Sequence, residues 1–288
     1  MKRDYKLYII CLAIFIVCFV LYFAYLRYSN YEENKNEEKV YIYDGKLGSA
    51  GEIDKTTIIV SIFASDKNNI WTYNDEENST IYDTLDDLEI ATDYLTKQVK
   101  KYKKNAKFIF DWANNSDLRY DTSFDEVLVR SDGSMYDVQK QYIENNINSE
   151  ELKKKYKADN IIYMFFFNTD YSNQSNSWTL GYSNSKKYDK EYTNVFIKYD
   201  DKFIMAPSSY AHEIMHCFGA HDLYYANSYI PIEYVNYCKE VNCKDIMYRV
   251  TADKEIHFDF TELDAYYLGL IDYVPKIVNE YNLALTEH

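Results

Sequence analysis

Glycine and proline are scarce in this 288-residue chain, seven and three in all, and no cysteine falls between Cys18 and Cys217. So few Gly and Pro leave too few turns for a β-sandwich of many short strands and no Gly-rich loop to cradle phosphates. The length and the five cysteines exclude a minimal disulfide-stapled domain. Cations are also in deficit: 32 Lys and Arg against 46 Asp and Glu give a formal charge of −14. That argues against broad nucleic-acid binding, which needs clustered Lys and Arg to displace counterions. What the chain has in quantity is aromatic side chains, 33 Tyr, 15 Phe and 3 Trp, within a hydrophobic fraction of 47%. This composition excludes collagen and low-complexity disorder and supports one substantial core, so one catalytic-sized domain with attachments is expected. No repeat with a period of about 20 to 50 residues is visible, which sets solenoids and propellers aside.

The long apolar run is Leu7 to Leu26, without a charge, Gly, Pro, Asn or Ser. About 20 apolar residues carry a helix across the hydrocarbon core of a bilayer. A cleavable signal has a shorter core of about 7 to 15 residues and a small-residue exit, whereas this run leaves through Tyr25-Leu26-Arg27-Tyr28. It reads as a retained signal-anchor. Lys2, Arg3 and Lys6 precede it, and only Arg27 follows before Glu32, Glu33, Glu37 and Glu38, which keeps the N-terminus cytoplasmic and the rest outside. The expected organisation is a cytoplasmic stub at 1–6, a transmembrane helix in the lipid bilayer at 7–26, a polar stalk at 27–55 holding Gly45, Gly48 and Gly51, and a folded domain at 56–288. A buried core helix is the alternative reading of 7–26, and length and uniform apolarity weigh against it. Outside the cytosol Cys238 and Cys243 could bridge, or either could join Cys217, and spacing does not choose among these pairings.

Within the domain, Thr56–Ala64 is β-branched and apolar, and Asp83–Lys103 places Leu88, Ala91, Leu95, Val99 and Tyr102 at steps of three and four. A strand followed by an amphipathic helix is expected. Lys107–Trp112 reads as a second strand, Met135–Lys157 as one or two helices broken near Asn148-Ser149, and Ile161–Phe167 as a third strand. Trp178–Tyr182 fits an edge strand and Asn194–Tyr199 a last one. Continuous apolar strands separated by helices imply an α/β fold with a mostly parallel sheet covered on both faces. The Asp- and Asn-rich stretches 66–78 and 111–132 lack EF-hand spacing and read as solvated loops, so calcium is a candidate without support.

The chemistry is concentrated after Ser208, where the chain reads Ser-Ser-Tyr-Ala-His-Glu-Ile-Met-His-Cys-Phe-Gly-Ala-His-Asp. His212 and His216 are four apart, so on a helix their imidazoles share one face and can converge on one metal, with Glu213 beside its open side. Set against the pattern H-E-x-x-H-x-x-G-x-x-H, His212, Glu213, His216 and Gly219 take the first four specified places, and His221 is read as the fifth. Gly219 can take the left-handed conformation that ends the helix and turns the chain back. Three imidazoles with an open position would make a catalytic zinc site. A downstream carboxylate, Glu233 or Glu240, is the alternative third ligand. His257 and His288 lie outside the pattern.

Together with residues further along the chain, this window resembles the active site of the metzincins, a superfamily of zinc endopeptidases. Cys243-Lys-Asp-Ile-Met-Tyr248 resembles the family's Met-turn, with Met247 beneath the metal, and Phe260-Thr261-Glu262-Leu263-Asp264 resembles the start of its closing helix. The resemblance implies a metzincin-like catalytic domain, with a twisted, mostly parallel sheet, an antiparallel edge strand that binds peptide backbone, an active-site helix and a helical C-terminal subdomain. It implies one zinc ion on His212, His216 and His221, Glu213 as general base, and a protein or peptide substrate. Departures exist: Arg249, not Tyr, stands two places after Met247, and Asp222 resembles one subfamily only. The cysteine gap makes a propeptide cysteine switch within this chain improbable. The expected activity is that of a membrane-anchored, extracytoplasmic zinc endopeptidase, and the alternative is a catalytically silent zinc-binding protein of the same fold. The oligomeric state is not legible in the sequence.

Overall fold

A computed structural model of the protein describes Tyr22 and residues 48–67, 69–112, 114–125, 134–168, 178–180, 191–200 and 203–283. The chain divides after Ile42, and before that point only Tyr22, in a helix, is described. The expected membrane helix at 7–26 therefore lies outside the described residues except for Tyr22. No described helix is long and apolar enough to cross a membrane.

The unit from Tyr43 is a mixed α/β fold with a mostly parallel sheet. Strand β1 (Thr56–Ser65) is interior, with β4 (Asn160–Phe167) parallel along one edge. Its other edge is shared end to end by β2 (Lys107–Ile109) and β3 (Arg119–Ser123), both parallel to it. Beyond β4 lies β6 (Tyr192–Phe196), again parallel, and then β5 (Trp178–Leu180), antiparallel at the margin. A short hairpin of β7 (Lys198–Asp200) and β8 (Phe203–Ile204) comes next.

Side chains alternate across a strand, and here both faces are buried. Ile58, Val60, Ile62, Tyr163, Phe165 and Phe167 form one core with α2 (Ser134–Asn146) and α3 (Ser149–Tyr156), which contribute Tyr136, Ile143 and Leu152. Ile59, Phe63, Ile162, Met164 and Phe166 form the other with α1 (Asp75–Lys101) and α4 (Pro207–Cys217). Two covered faces explain why the central strands read as unbroken apolar runs.

The expected elements hold where they are buried and shift where they are exposed. Helix α1 begins at Asp75, not Asp83, because Asn74 caps it by accepting the Glu77 N–H, and acidic Asp75, Glu76 and Glu77 occupy the positive end of the helix dipole. That first turn is polar, so apolar periodicity starts only at Ile81. Strand β2 stops at Ile109, short of the expected Trp112, and β3 arises within the stretch read as a solvated loop. Helices α2 and α3 break at Ile147-Asn148, and Asn148 accepts the Glu151 N–H as N-cap.

The expected domain boundary at residue 56 also moves. Ile53 is fully buried, and the Ala50 N–H donates to the Cys217 carbonyl at 3.0 Å. A Cβ on Gly48 would lie 2.3 Å from the Cys217 oxygen and 2.7 Å from the Gly219 nitrogen. Residues 48–55 thus belong to the folded unit, packed on the end of α4. Both colliding atoms are backbone and cannot rotate away, so Gly48→Ala is expected to cost about 1–3 kcal/mol. Denaturant titration should show a lower midpoint with an unchanged slope.

Candidate metal centre

Helix α4 carries the two histidines of the motif. Pro207, at its first turn, supplies a pre-set φ and lacks only an N–H that would have no helical partner. The Ser208 hydroxyl donates to the Thr251 carbonyl at 3.0 Å and accepts the Thr251 N–H at 3.1 Å, fixing that end against the C-terminal part. Gly219 has φ 109° and ends the helix, with the Ala220 N–H reaching back to Met215 and its own N–H to His216. The helix thus closes at Gly219, where the chain turns back. Every residue of α4 except His216 is buried.

The two imidazoles are held by main-chain carbonyls. His212 Nδ1 lies 2.9 Å from the Ile246 oxygen and His216 Nδ1 2.8 Å from the Ala220 oxygen. A carbonyl only accepts, so each Nδ1 carries the hydrogen and each Nε2 is turned toward the site. The two Nε2 atoms are 3.1 Å apart, and Asp222 Oδ1 is 3.0 Å from that of His212 and 3.2 Å from that of His216. All three atoms lie within 4.8 Å of one another, and no other such group occurs among the described residues. Three lone-pair atoms at these distances need a proton or a cation among them. Burial disfavours a charged His216, but Asp222 beside it and Glu213 raise its pKa to about 10. Burial likewise opposes ionised Asp222, yet His216 and His212 hold it far below the usual carboxylate range. Two imidazoles and a carboxylate are a catalytic zinc donor set, so the residues fit the metal.

His221, the expected third ligand, lies outside this group. Only Ala220 separates Gly219 from His221, so the place two residues beyond Ala220 belongs to Asp222. His221 instead stacks on Tyr229, with centroids 4.1 Å apart, and meets Tyr267 edge-on at 4.9 Å. Its Nε2 is buried without a hydrogen-bond partner, and burial together with nearby His216 pushes its pKa down to about 3. It stays neutral at working pH and packs as an aromatic ring. Glu233, the alternative ligand, is largely exposed on α5 (Ile232–Glu240), as is Glu240.

Glu213 is 4% exposed, and its charge acts on His216 and Tyr224. Tyr224 is a site residue that the sequence did not single out among 33 tyrosines. It is half exposed, its ring lies 6.3 Å from that of His212, and burial, with the charges of Asp222 and Glu213, pushes its pKa up. Met247 is fully buried, and its carbonyl accepts the Leu223 N–H at 3.0 Å. The turn around it therefore supports both the Asp222 loop and, through Ile246, His212.

Helix α6 (Glu262–Tyr267) begins with the expected capping box of Thr261 and Asp264. Asp245 accepts the Met247 N–H at 2.7 Å and the Thr261 hydroxyl at 2.7 Å. Buried Asp264 Oδ1 has no donor and faces Asp245. Burial raises both carboxyls, Asp245 from 3.8 to about 6, with Asp259 adding to the rise of Asp245 and Asp245 to that of Asp264. A raised folded pKa means that this stability is complete below 3.8 and lost as pH climbs through about 6. Asp264→Asn keeps the oxygen for the Thr261 N–H and turns an amide donor toward Asp245. It should add about 1 kcal/mol at pH 7 and flatten that loss, read as melting temperature against pH.

No protein-family model, curated protein or solved structure matches the chain. A cavity of about 260 Å³ lined by Ser49, Ser149, Tyr163 and Glu191 contains none of the metal-centre residues. What the protein does is argued from the centre itself.

Proposed function

We propose that the chain is a metzincin-like zinc endopeptidase, anchored in the membrane through Leu7–Leu26 with its catalytic part outside the cell. The observation that carries this reading is the convergence of His212 Nε2, His216 Nε2 and Asp222 Oδ1 beside Glu213. His212, His216 and Asp222 would hold the metal, and a zinc ion bound by them would supply Lewis acidity and lower the pKa of a water to roughly 7. Glu213 would serve as general base and then general acid, accepting a proton from the attacking water and giving it to the leaving amine. Ile246 and Ala220 keep the imidazoles in the ligating tautomer. Strand β5 lies at the margin of the sheet, and such an edge can take an extended peptide as a further strand.

The donors match a second chemistry, since two His and one carboxylate also hold ferrous iron in oxygenases. Glu213, next to His212 on the helix, favours hydrolysis. The test is metal analysis of the purified full chain with cleavage of a diverse peptide library, before and after chelation. About one zinc per chain and cleavage that chelation stops and zinc restores are expected. Bound zinc without cleavage would move the protein to the silent zinc-binding reading. Iron in place of zinc would point to the oxygenase, and no metal would overturn the centre.

A further inference from the structure

Helices α3, α4, α5, α6 and α7 (Lys276–Tyr281) all end in one closure, with a left-handed residue at Lys157, Gly219, Asn242, Gly269 and Asn282. The next residue then donates its N–H to the carbonyl five places back, Ala158 to Lys153, Ala220 to Met215, Cys243 to Cys238, Leu270 to Ala265 and Leu283 to Val278. This closure brings the two side chains together, commonly as an apolar contact. At the end of α5 both are cysteine, and the Cys243 N–H to Cys238 carbonyl distance is 2.8 Å.

The two thiols are free, and each shifts the pKa of the other. Cys217 is engaged elsewhere, its sulfur 3.3 Å from the Thr193 hydroxyl and 3.7 Å from the Glu213 carbonyl. Of the pairings left open by spacing, the fold therefore places Cys238 against Cys243. Cys243 opens the turn that reaches Ile246 and Met247, so a bond here would tie α5 to the support of His212.

We propose that Cys238 and Cys243 form a redox site, a dithiol that a low-molecular-weight disulfide such as oxidised glutathione converts to a disulfide. Cys243 is the attacking sulfur. It is partly exposed while Cys238 is buried, and the Asp245 N–H points at it. Cys238 lowers the pKa of Cys243 to about 7 against the opposing effect of burial. The Cys243 thiolate attacks one sulfur of the oxidant, whose S–S bond breaks and releases one thiol. Cys238 then loses its proton to solvent and attacks Cys243 Sγ, releasing the second thiol. Two protein thiols give up two electrons and two protons in total, and the oxidant becomes two thiols.

The test treats the folded full chain with oxidised glutathione, alkylates the remaining thiols and maps tryptic peptides. Trypsin cuts after Lys239, so the two cysteines stay in one species only when bonded. The expected result is a linked Cys238–Cys243 pair, two fewer alkylated thiols, and Cys217 alkylated only after unfolding. In Cys238→Ser the reaction should stop at a glutathione adduct on Cys243. Full alkylation of Cys243 in the oxidised parent, a parent adduct that never closes, or a link to Cys217 would each overturn the proposal.

Discussion

Asp222→Ala is expected to lower zinc affinity by ~10²-fold or more, beyond the ~10- to 100-fold cost typical of outer-shell changes. His221→Ala should leave the metal bound. The two residues are neighbours, but their side chains part. Asp222 places Oδ1 3.0 Å and 3.2 Å from Nε2 of His212 and of His216, while His221 lies between Tyr229 and Tyr267. Removing Asp222 leaves two imidazoles and no negative charge to offset the burial of a dication. Removing His221 takes away a stacked ring, and so costs stability rather than metal. Competition with a chromophoric chelator at fixed pH measures both. Retained zinc in Asp222→Ala with loss from His221→Ala would restore the three-imidazole centre. Asp222→His should recover much of the affinity, because an imidazole at that position meets the same two nitrogens.

Asp222 and His221 show how far the candidate site was legible in the sequence. Three of five histidines fall between His212 and His221, and imidazole is the commoner third donor, so residue type outweighed register. Geometry follows register: the closure at Gly219 fixes where the chain leaves α4, and one position decides whether a side chain enters the site. The His212–His216 pair was legible because four residues make one helical turn. The carbonyls of Ile246 and Ala220 that orient it were not, since any residue supplies a carbonyl. The fold follows a parallel logic. Strands β1 and β4 announce themselves because burial on two faces demands apolar residues throughout. The first turn of α1 and strand β3 are polar, exposed or half-buried, and are held by capping and ladder hydrogen bonds that leave no hydrophobic period.

A centre with two imidazoles and a carboxylate carries one unit less positive charge than one with three imidazoles. With zinc bound, its Lewis acidity would be milder and more of the proton transfer would rest on Glu213. Glu213→Gln preserves the shape and removes the base, so kcat/KM should fall by ~10²- to 10⁴-fold. The metal content should not change, because Glu213 is outside the converging group of His212, His216 and Asp222. The pairing of these readouts separates two causes of inactivity. Loss of cleavage with zinc retained assigns the proton transfer to Glu213. Loss of both would make Glu213 a structural support of a helix in which it is 4% exposed. Cleavage at the parental rate with zinc bound would remove Glu213 from the mechanism and leave the proton to another group, with Tyr224, half exposed beside His212, as a candidate.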